Sequence, residues 1–225
     1  MKKLFALAAL LFVANVTFAQ VPSNLPGNFY FDLGLAMLDE EPFDLETQSR
    51  GINISYMYEF TLGSEKFTFH PGLGYGHESY FFDDDITLGK VDGKTVGFPI
   101  SEGLIVDDVK KTKLAVNYID VPLEFRFRTH PGKNAFRIGV GVKGGVLFDA
   151  HTKVKYEVGD DNQKLKNKAD FNLNRFRAGG TLRIGYGAFN VFGYYSFTNL
   201  FEDDAFVNFS DDTRTIVVGL TLSSF

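Results

Sequence analysis

Hydrophobic and polar residues alternate along most of this chain with a period of two, the signature of half-buried strands. Eight segments carry the pattern: Asn28–Leu38, Gly51–Thr61, Lys66–Phe82, Lys113–Thr129, Ala135–Phe148, Ala169–Gly185, Phe189–Thr198 and Thr213–Phe225. In the fourth, Ile119, Val121, Leu123, Phe125 and Phe127 share one face, while Asp120, Glu124, Arg126 and Arg128 share the other. In the fifth, Phe136, Ile138, Val140 and Val142 oppose Arg137, Gly139, Gly141 and Lys143. Each segment provides the roughly 9–11 residues that a tilted membrane strand needs.

Alternation alone does not separate a soluble β-sandwich from a membrane barrel, because only the direction of the apolar face differs. The connections separate them. Three are short, "LGSE", "HPGKN" and "YGA", and they alternate with four long ones, near 39–50, 83–112, 150–168 and 199–212. An up-and-down barrel places alternate connections at opposite ends, and outer-membrane barrels have short periplasmic turns and longer external loops. The chain is therefore expected to be all-β: an eight-stranded antiparallel up-and-down transmembrane β-barrel in the cell outer membrane, with both termini periplasmic. Aromatics beside the short turns (Tyr58, Phe60, Phe67, Phe69, Phe125, Phe127, Phe136, Tyr186, Phe189) fit an interfacial girdle. Runs such as Asp39-Glu40-Glu41, Asp83-Asp84-Asp85 and Glu202-Asp203-Asp204 fall in the long connections, where water solvates them.

Composition agrees. The chain has 25 Phe, 10 Tyr and 23 Gly, but no Trp and no Cys, so no disulfide can staple it. Residues 1–19 carry Lys2 and Lys3, an apolar run too short to span a bilayer, and Thr17-Phe18-Ala19, which reads as a signal peptide cleaved after Ala19. Residues 20–225 form the barrel domain. Removing Lys2 and Lys3 from the 23 basic residues leaves 21 against 28 acidic ones, a net of −7, unsuited to nucleic acid.

The last segment, "TRTIVVGLTLSSF", ends on an aromatic, as do outer-membrane proteins whose final strand is read by the barrel assembly machinery, although Phe225 is out of phase with Ile216, Val218, Leu220 and Leu222. The segment "YIDVPLEFRFR", Tyr118–Arg128, resembles the Pro-containing strand of the PorT-like outer-membrane β-barrel family of Bacteroidota-type envelopes. The resemblance extends to the signal peptide, to "NFYFDLGLAML" and to the final strand. It implies a small, eight-stranded barrel. The type IX secretion role of the family's name-giving branch is not carried over with it.

The polar face of such a barrel lines its lumen. The inward set is Asp32, Glu59, Glu124, Arg126, Arg128, Arg137, Lys143, Arg175, Arg177 and Arg183, with positive charge in excess. Eight strands enclose a space that side chains just fill, so the expectation is a salt-bridged plug and a structural or interaction role in the envelope, accessory to a larger complex. A narrow anion-preferring pore and a soluble periplasmic lipocalin-like carrier are the alternatives. Expected partners are outer-membrane lipid and lipopolysaccharide, and an envelope protein at loop 83–112, which mixes Phe98-Pro99-Ile100 and Leu104-Ile105-Val106 with charge. The acidic loops read as solvated surface, with divalent-cation binding as the other reading.

One pair suggests chemistry. His77 and Ser79 are two apart, hence on one face of a strand. They resemble the His-x-Ser pair of outer-membrane lipid A deacylases, in which serine attacks an ester with histidine as base. No acidic residue in the strand completes the set, since Glu78 points the other way. The plainer reading is a polar strand end leaving the membrane, so the chain is not expected to be an enzyme. Its glycine runs lie within strands rather than between a strand and a helix, and His130 and His151 lack metal-ligand company. No cofactor or metal is expected.

Overall fold

The computed structural model describes residues 27–40, 45–46, 49–83, 85–103, 107–132, 134–159, 161–206 and 212–224. The expected signal segment, residues 1–19, and Phe225 lie outside them. The elements are β1 (Gly27–Leu38), β2 (Arg50–Tyr58), β3 (Phe60–Leu62), β4 (Ser64–Phe82), β5 (Ile86–Val91), β6 (Lys94–Pro99), a one-turn helix α1 (Ile100–Gly103), β7 (Asp108–Arg128), β8 (Phe136–Val158), β9 (Asp161–Asn167), β10 (Phe176–Tyr186), β11 (Phe189–Ser196) and β12 (Thr215–Ser223).

Among the described residues, eight strands close a ring. The order β1-β2-β4-β7-β8-β10-β11-β12 returns to β1, and every pairing is antiparallel. Closure leaves none of these eight strands as an edge strand, a condition that a bilayer imposes because nothing in hydrocarbon can satisfy a free N–H or C=O. Two of the tight turns turn on glycines with positive φ, Gly63 at 68° and Gly187 at 59°.

The apolar faces point outward. Val121 is 48% exposed and Leu220 65%, and Ile54 and Ile138 stand out beside them, whereas Arg126, Arg177 and Arg183 are buried inside the ring. That arrangement suits hydrocarbon outside and rules out a core shared between two sheets.

The polarity then inverts toward the end of the barrel opposite the short turns. On β7, Ile119, Val121, Leu123 and Phe125 face out, but two strand steps further up the outward residues become Asn117, Ala115, Lys113 and Lys111. The inward residues there are Tyr118, Val116 and Leu114, all buried. β4 repeats the change, from outward Leu73 and Tyr75 to His77 and Ser79, with Tyr80 and Phe82 inside. A slip in register at Asn117/Tyr118 marks the same level on β8, where outward Val146 and Phe148 give way to Asp149, His151, Lys153 and Lys155. Below this level the barrel is apolar outside and ionic inside. Above it the barrel is polar outside and apolar inside, like a water-soluble protein. The switch places one edge of the hydrocarbon layer just above the row of Ile54, Tyr75, Ile119 and Phe148.

The upper interior continues into a lid. Phe82, Leu88, Leu114, Phe171, Leu173, Leu200, Phe201, Ala205 and Phe206 form one buried cluster with Ala36 and Val217. The β5–β6 hairpin contributes Leu88 and bridges through Thr95 to Phe206. Several connections that read as loops are therefore structured. The region 83–112 holds a hairpin and α1, with Ile100 buried, while Leu104, Ile105 and Val106 lie outside the described residues. The polar run 161–167 is a strand paired with β8. The strand expected over 169–185 starts only at Phe176, because 169–175 turn into the lid through Phe171 and Leu173.

Gly219 shows how closely the ring is drawn: a Cβ there would meet Leu33 O at 2.2 Å and Gly34 Cα at 2.3 Å. Both obstacles are backbone and cannot rotate away. Gly219→Val should destabilise the barrel by about 1–3 kcal/mol, read as a lower urea midpoint for unfolding from detergent micelles.

Candidate functional site

Two constellations of polar side chains stand out, one in the bore and one on the outer wall.

In the bore, three arginines order two stacked layers. Arg177 from β10 places Nη1 2.6 Å from Glu78 Oε1 and Nη2 2.7 Å from Asp120 Oδ2, and its Nε donates to Asp120 Oδ1 at 3.0 Å. Asn53 donates to Asp120 Oδ2 at 3.1 Å, and Lys143 Nζ lies 3.8 Å from it. The guanidinium lies 3.8 Å from the centre of the Tyr118 ring, and Lys143 lies 3.9 Å from that of Tyr194. One layer nearer the short turns, Arg183 Nη1 is 2.7 Å from Asp32 Oδ1 and its Nε 3.5 Å from Glu124 Oε2. Arg126 Nε donates to Glu124 Oε1 at 2.5 Å, and its Nη1 donates to Tyr30 OH. Four cations (Arg126, Lys143, Arg177, Arg183) thus meet four carboxylates (Asp32, Glu78, Asp120, Glu124). Between the two layers, among Asp32, Glu78, Glu124, Lys143, Arg177 and Arg183, the space left is about 30 Å³, room for about one water, while on the short-turn side Glu124, Arg126 and Arg183 border a wider cavity.

The remaining inward candidates sit at the short-turn rim. Glu59 Oε1 pairs with Arg128 Nη1 at 3.1 Å, and Arg137 donates to the carbonyls of Gly187 at 2.9 Å and Gly132 at 2.8 Å. Beside them a cavity of about 220 Å³ is lined by Tyr30, His70, Arg126 and Arg128. Arg175 is a correction: it precedes β10 and is exposed. Asp120 and Glu78 are additions, and with them the expected positive excess disappears from the middle of the bore. Parity had already put both inside. Asp120 shares the polar face of its strand with Glu124 and Arg126, and Glu78 lies on the face opposite His77.

On the outer wall, strand pairing lines up His77 of β4 with Asn117 of β7, and Asn117 with Asp149 of β8. His77 Nδ1 lies 2.7 Å from Asn117 Oδ1, and Nε2 lies 2.9 Å from Ser79 Oγ. An amide oxygen only accepts, so Nδ1 carries the proton and Nε2 is left to accept from the serine hydroxyl. Asn117 is itself fixed: Tyr75 OH donates to its Oδ1 at 2.7 Å, and its Nδ2 donates to Asp149 Oδ2 at 3.0 Å. The expected pair therefore has a third member. It is an amide on the neighbouring strand, which a search for an acid within the same strand could not find.

Above this row the wall is cationic. Arg50, Lys111, Lys113, Lys153 and Lys155 surround Phe81 and line a depression of about 210 Å³. Lys111 Nζ sits 4.0 Å from the centre of the Phe81 ring. Lys113 Nζ donates to Ser79 Oγ at 2.8 Å and covers it. These residues stand beyond the apolar band. Burial, and after it the charges of Lys153, Arg50 and Lys111, together push the Lys113 ammonium down to about 8. Among the described residues no group of His, Asp or Glu is placed to hold a metal ion.

A closed ring of eight strands with lipid-facing apolar residues defines an outer-membrane β-barrel. The chain belongs to the family described as outer membrane protein beta-barrel domain, whose model matches residues 18–202. Among solved structures it is similar to Ail, the attachment invasion locus protein of Yersinia pestis, with 14% identity, a TM-score of 0.36, and coverage of 88% of this chain and 99% of that one. A second structure of Ail, in complex with the heparin analogue sucrose octasulfate, matches with 13% identity, a TM-score of 0.39 and the same coverage. A search of curated proteins returned no significant match.

Proposed function

We propose that this barrel is closed to solutes and works through its outer wall and lidded end, in a structural or interaction role in the envelope. The observation that carries the reading is the neutral, fully paired ionic core of the bore. Between the two layers, where the gap is about 30 Å³, a hydrated ion finds no room, and four cations on four carboxylates leave it no unpaired counter-charge. Buried ion pairs that satisfy one another contribute rigidity more than net stability.

In this reading the short turns and both chain ends are periplasmic, as in outer-membrane barrels generally. The lid and the cationic wall then face outward, against the anionic head groups of lipopolysaccharide. The last strand is the segment offered to the barrel assembly machinery. The β5–β6 hairpin, with Phe98 partly exposed, is the surface for an envelope partner. Membership of the PorT-like branch rests on Tyr118–Arg128, whose acid Asp120 holds Arg177.

Reconstitution into a planar bilayer tests closure. The protein is expected to give no steady conductance, and single-channel steps in the folded wild type would refute it. Protease added to whole cells should cut within the lid connections and leave the short turns intact.

A further inference from the structure

We propose that Ser79, His77 and Asn117 form the catalytic apparatus of an esterase that removes acyl chains from phosphate-bearing lipids of the outer leaflet, with the cationic depression around Phe81 as the head-group site. The inference shares with the function proposed above only the outward placement of the lidded end. It departs from the expectation that the chain is no enzyme.

The first support is geometric. A nucleophile, a base and an orienting group lie in hydrogen-bonded series: Ser79 Oγ to His77 Nε2 at 2.9 Å, and His77 Nδ1 to Asn117 Oδ1 at 2.7 Å. This is the arrangement that activates a serine, and it is recognised by roles and distances rather than by chain order. Tyr75 and Asp149 hold the amide from two sides, so the tautomer of His77 is set by the structure around it. A collar that merely solvated the wall needs polar residues, but not this order of donors and acceptors.

The second support is depth. Ser79 lies four residues above Tyr75, or about 13 Å along a strand and less along the membrane normal once the strand tilts. The apolar row of Ile54, Tyr75, Ile119 and Phe148 beneath it faces acyl chains, and the five cations above it face head groups. An ester linkage sits between those two regions of a lipid. Across the strands, Arg50 and the small Ala115 flank Ser79.

The third support is the lysine cover. Ser79 is buried beneath Lys113, whose neighbours Lys111, Lys153 and Arg50 repel it. A phosphate entering the depression relieves that repulsion and draws the ammonium off Oγ. The same ammonium is then at hand for the carbonyl oxygen of the ester.

The reaction balances with water as co-reactant. Ser79 Oγ attacks the acyl carbonyl carbon as its proton passes to His77 Nε2, and negative charge on the former carbonyl oxygen falls beside Lys113. The ester C–O bond breaks, and His77 returns the proton to the departing alcohol. Water then attacks the acyl-serine, giving up a proton to His77. The fatty acid leaves, and the proton returns to Ser79. Ser79 and His77 are catalytic residues; Asn117 is a positioning residue.

The test uses the folded full-length barrel in detergent micelles, with folding checked by heat-modifiable migration. One arm supplies lipid A and reads loss of acyl chains by mass spectrometry. The other supplies phosphatidylglycerol and reads fatty-acid release. Activity in the first arm identifies a glycolipid substrate, and activity in the second a glycerophospholipid. Ser79→Ala and His77→Ala should each lower the rate by about a hundredfold or more. Asn117→Ala should lower kcat about tenfold or more with KM unchanged, a split that loose packing alone does not produce. The double change Lys111→Gln, Lys153→Gln should raise KM for phosphate-bearing lipid but not for an uncharged diacylglycerol. A fluorophosphonate probe should label the wild type at Ser79. No release by the folded wild type in either arm, or equal rates in wild type and Ser79→Ala, would overturn the proposal. Neither readout depends on conductance or orientation, so this proposal and the closed-barrel reading can fail separately.

Discussion

Replacing Arg177 by Met should destabilise the barrel by about 3–5 kcal/mol, because Glu78 and Asp120 would then be buried without their main counter-charge. Arg177 is the hub of the upper ionic layer, with three contacts to these carboxylates of 3.0 Å or less. Arg177→Lys keeps the charge but loses the planar fork that spans both acids, so it should recover only part of the loss. The compound variant Arg177→Met, Asp120→Asn, Glu78→Gln should recover more, since no isolated charge remains. Urea titration of the folded barrel in micelles orders the four proteins. A wild-type midpoint in Arg177→Met would mean that the two carboxylates are already hydrated or neutral.

The second large effect belongs to the lipid face. Leu123 sits midway along the outward apolar run of β7, between the polar collar above and the short turns below. Leu123→Arg should cost about 2–4 kcal/mol, the depth-dependent penalty for a guanidinium near the bilayer midplane. The same stability measurement on Lys153→Leu, on the outer wall above the band, should move by no more than about 0.5 kcal/mol. Comparable losses at the two positions would mean that the inversion of polarity on β7 and β8 does not mark the membrane edge.

Most of the ring was legible because lipid and water impose opposite demands on neighbouring residues. That made the parity of Val121, Ile138 and Leu220 unambiguous, and the alternation of short and long connections fixed the topology. The part that parity does not reveal lies above the membrane. There β7 and β8 keep their period of two but exchange faces, so a reading that assigned apolar to lipid throughout stopped each strand early. Lys111 and Lys155 lie in connections by that reading, yet they are cross-strand partners. The lid was hidden because Phe171, Phe201 and Phe206 come from separate connections that meet only in three dimensions. Asn117 was missed for a similar reason: its link to His77 spans 40 positions and exists only through the β4–β7 register. Arg175 illustrates the reverse error, since parity extrapolated past the true start of a strand put an exposed side chain in the bore.

The account rests on the boundary where the wall turns from apolar to polar, and the absence of tryptophan from the chain makes that boundary directly measurable. Single tryptophans placed at Val121, Leu220 and Lys153 can be read in vesicles carrying brominated acyl chains, with acrylamide in the buffer as the opposing quencher. The structure predicts strong quenching by bromine at Val121 and Leu220, and quenching by acrylamide alone at Lys153. Acrylamide quenching at Val121 and Leu220, without effect of bromine, would contradict it.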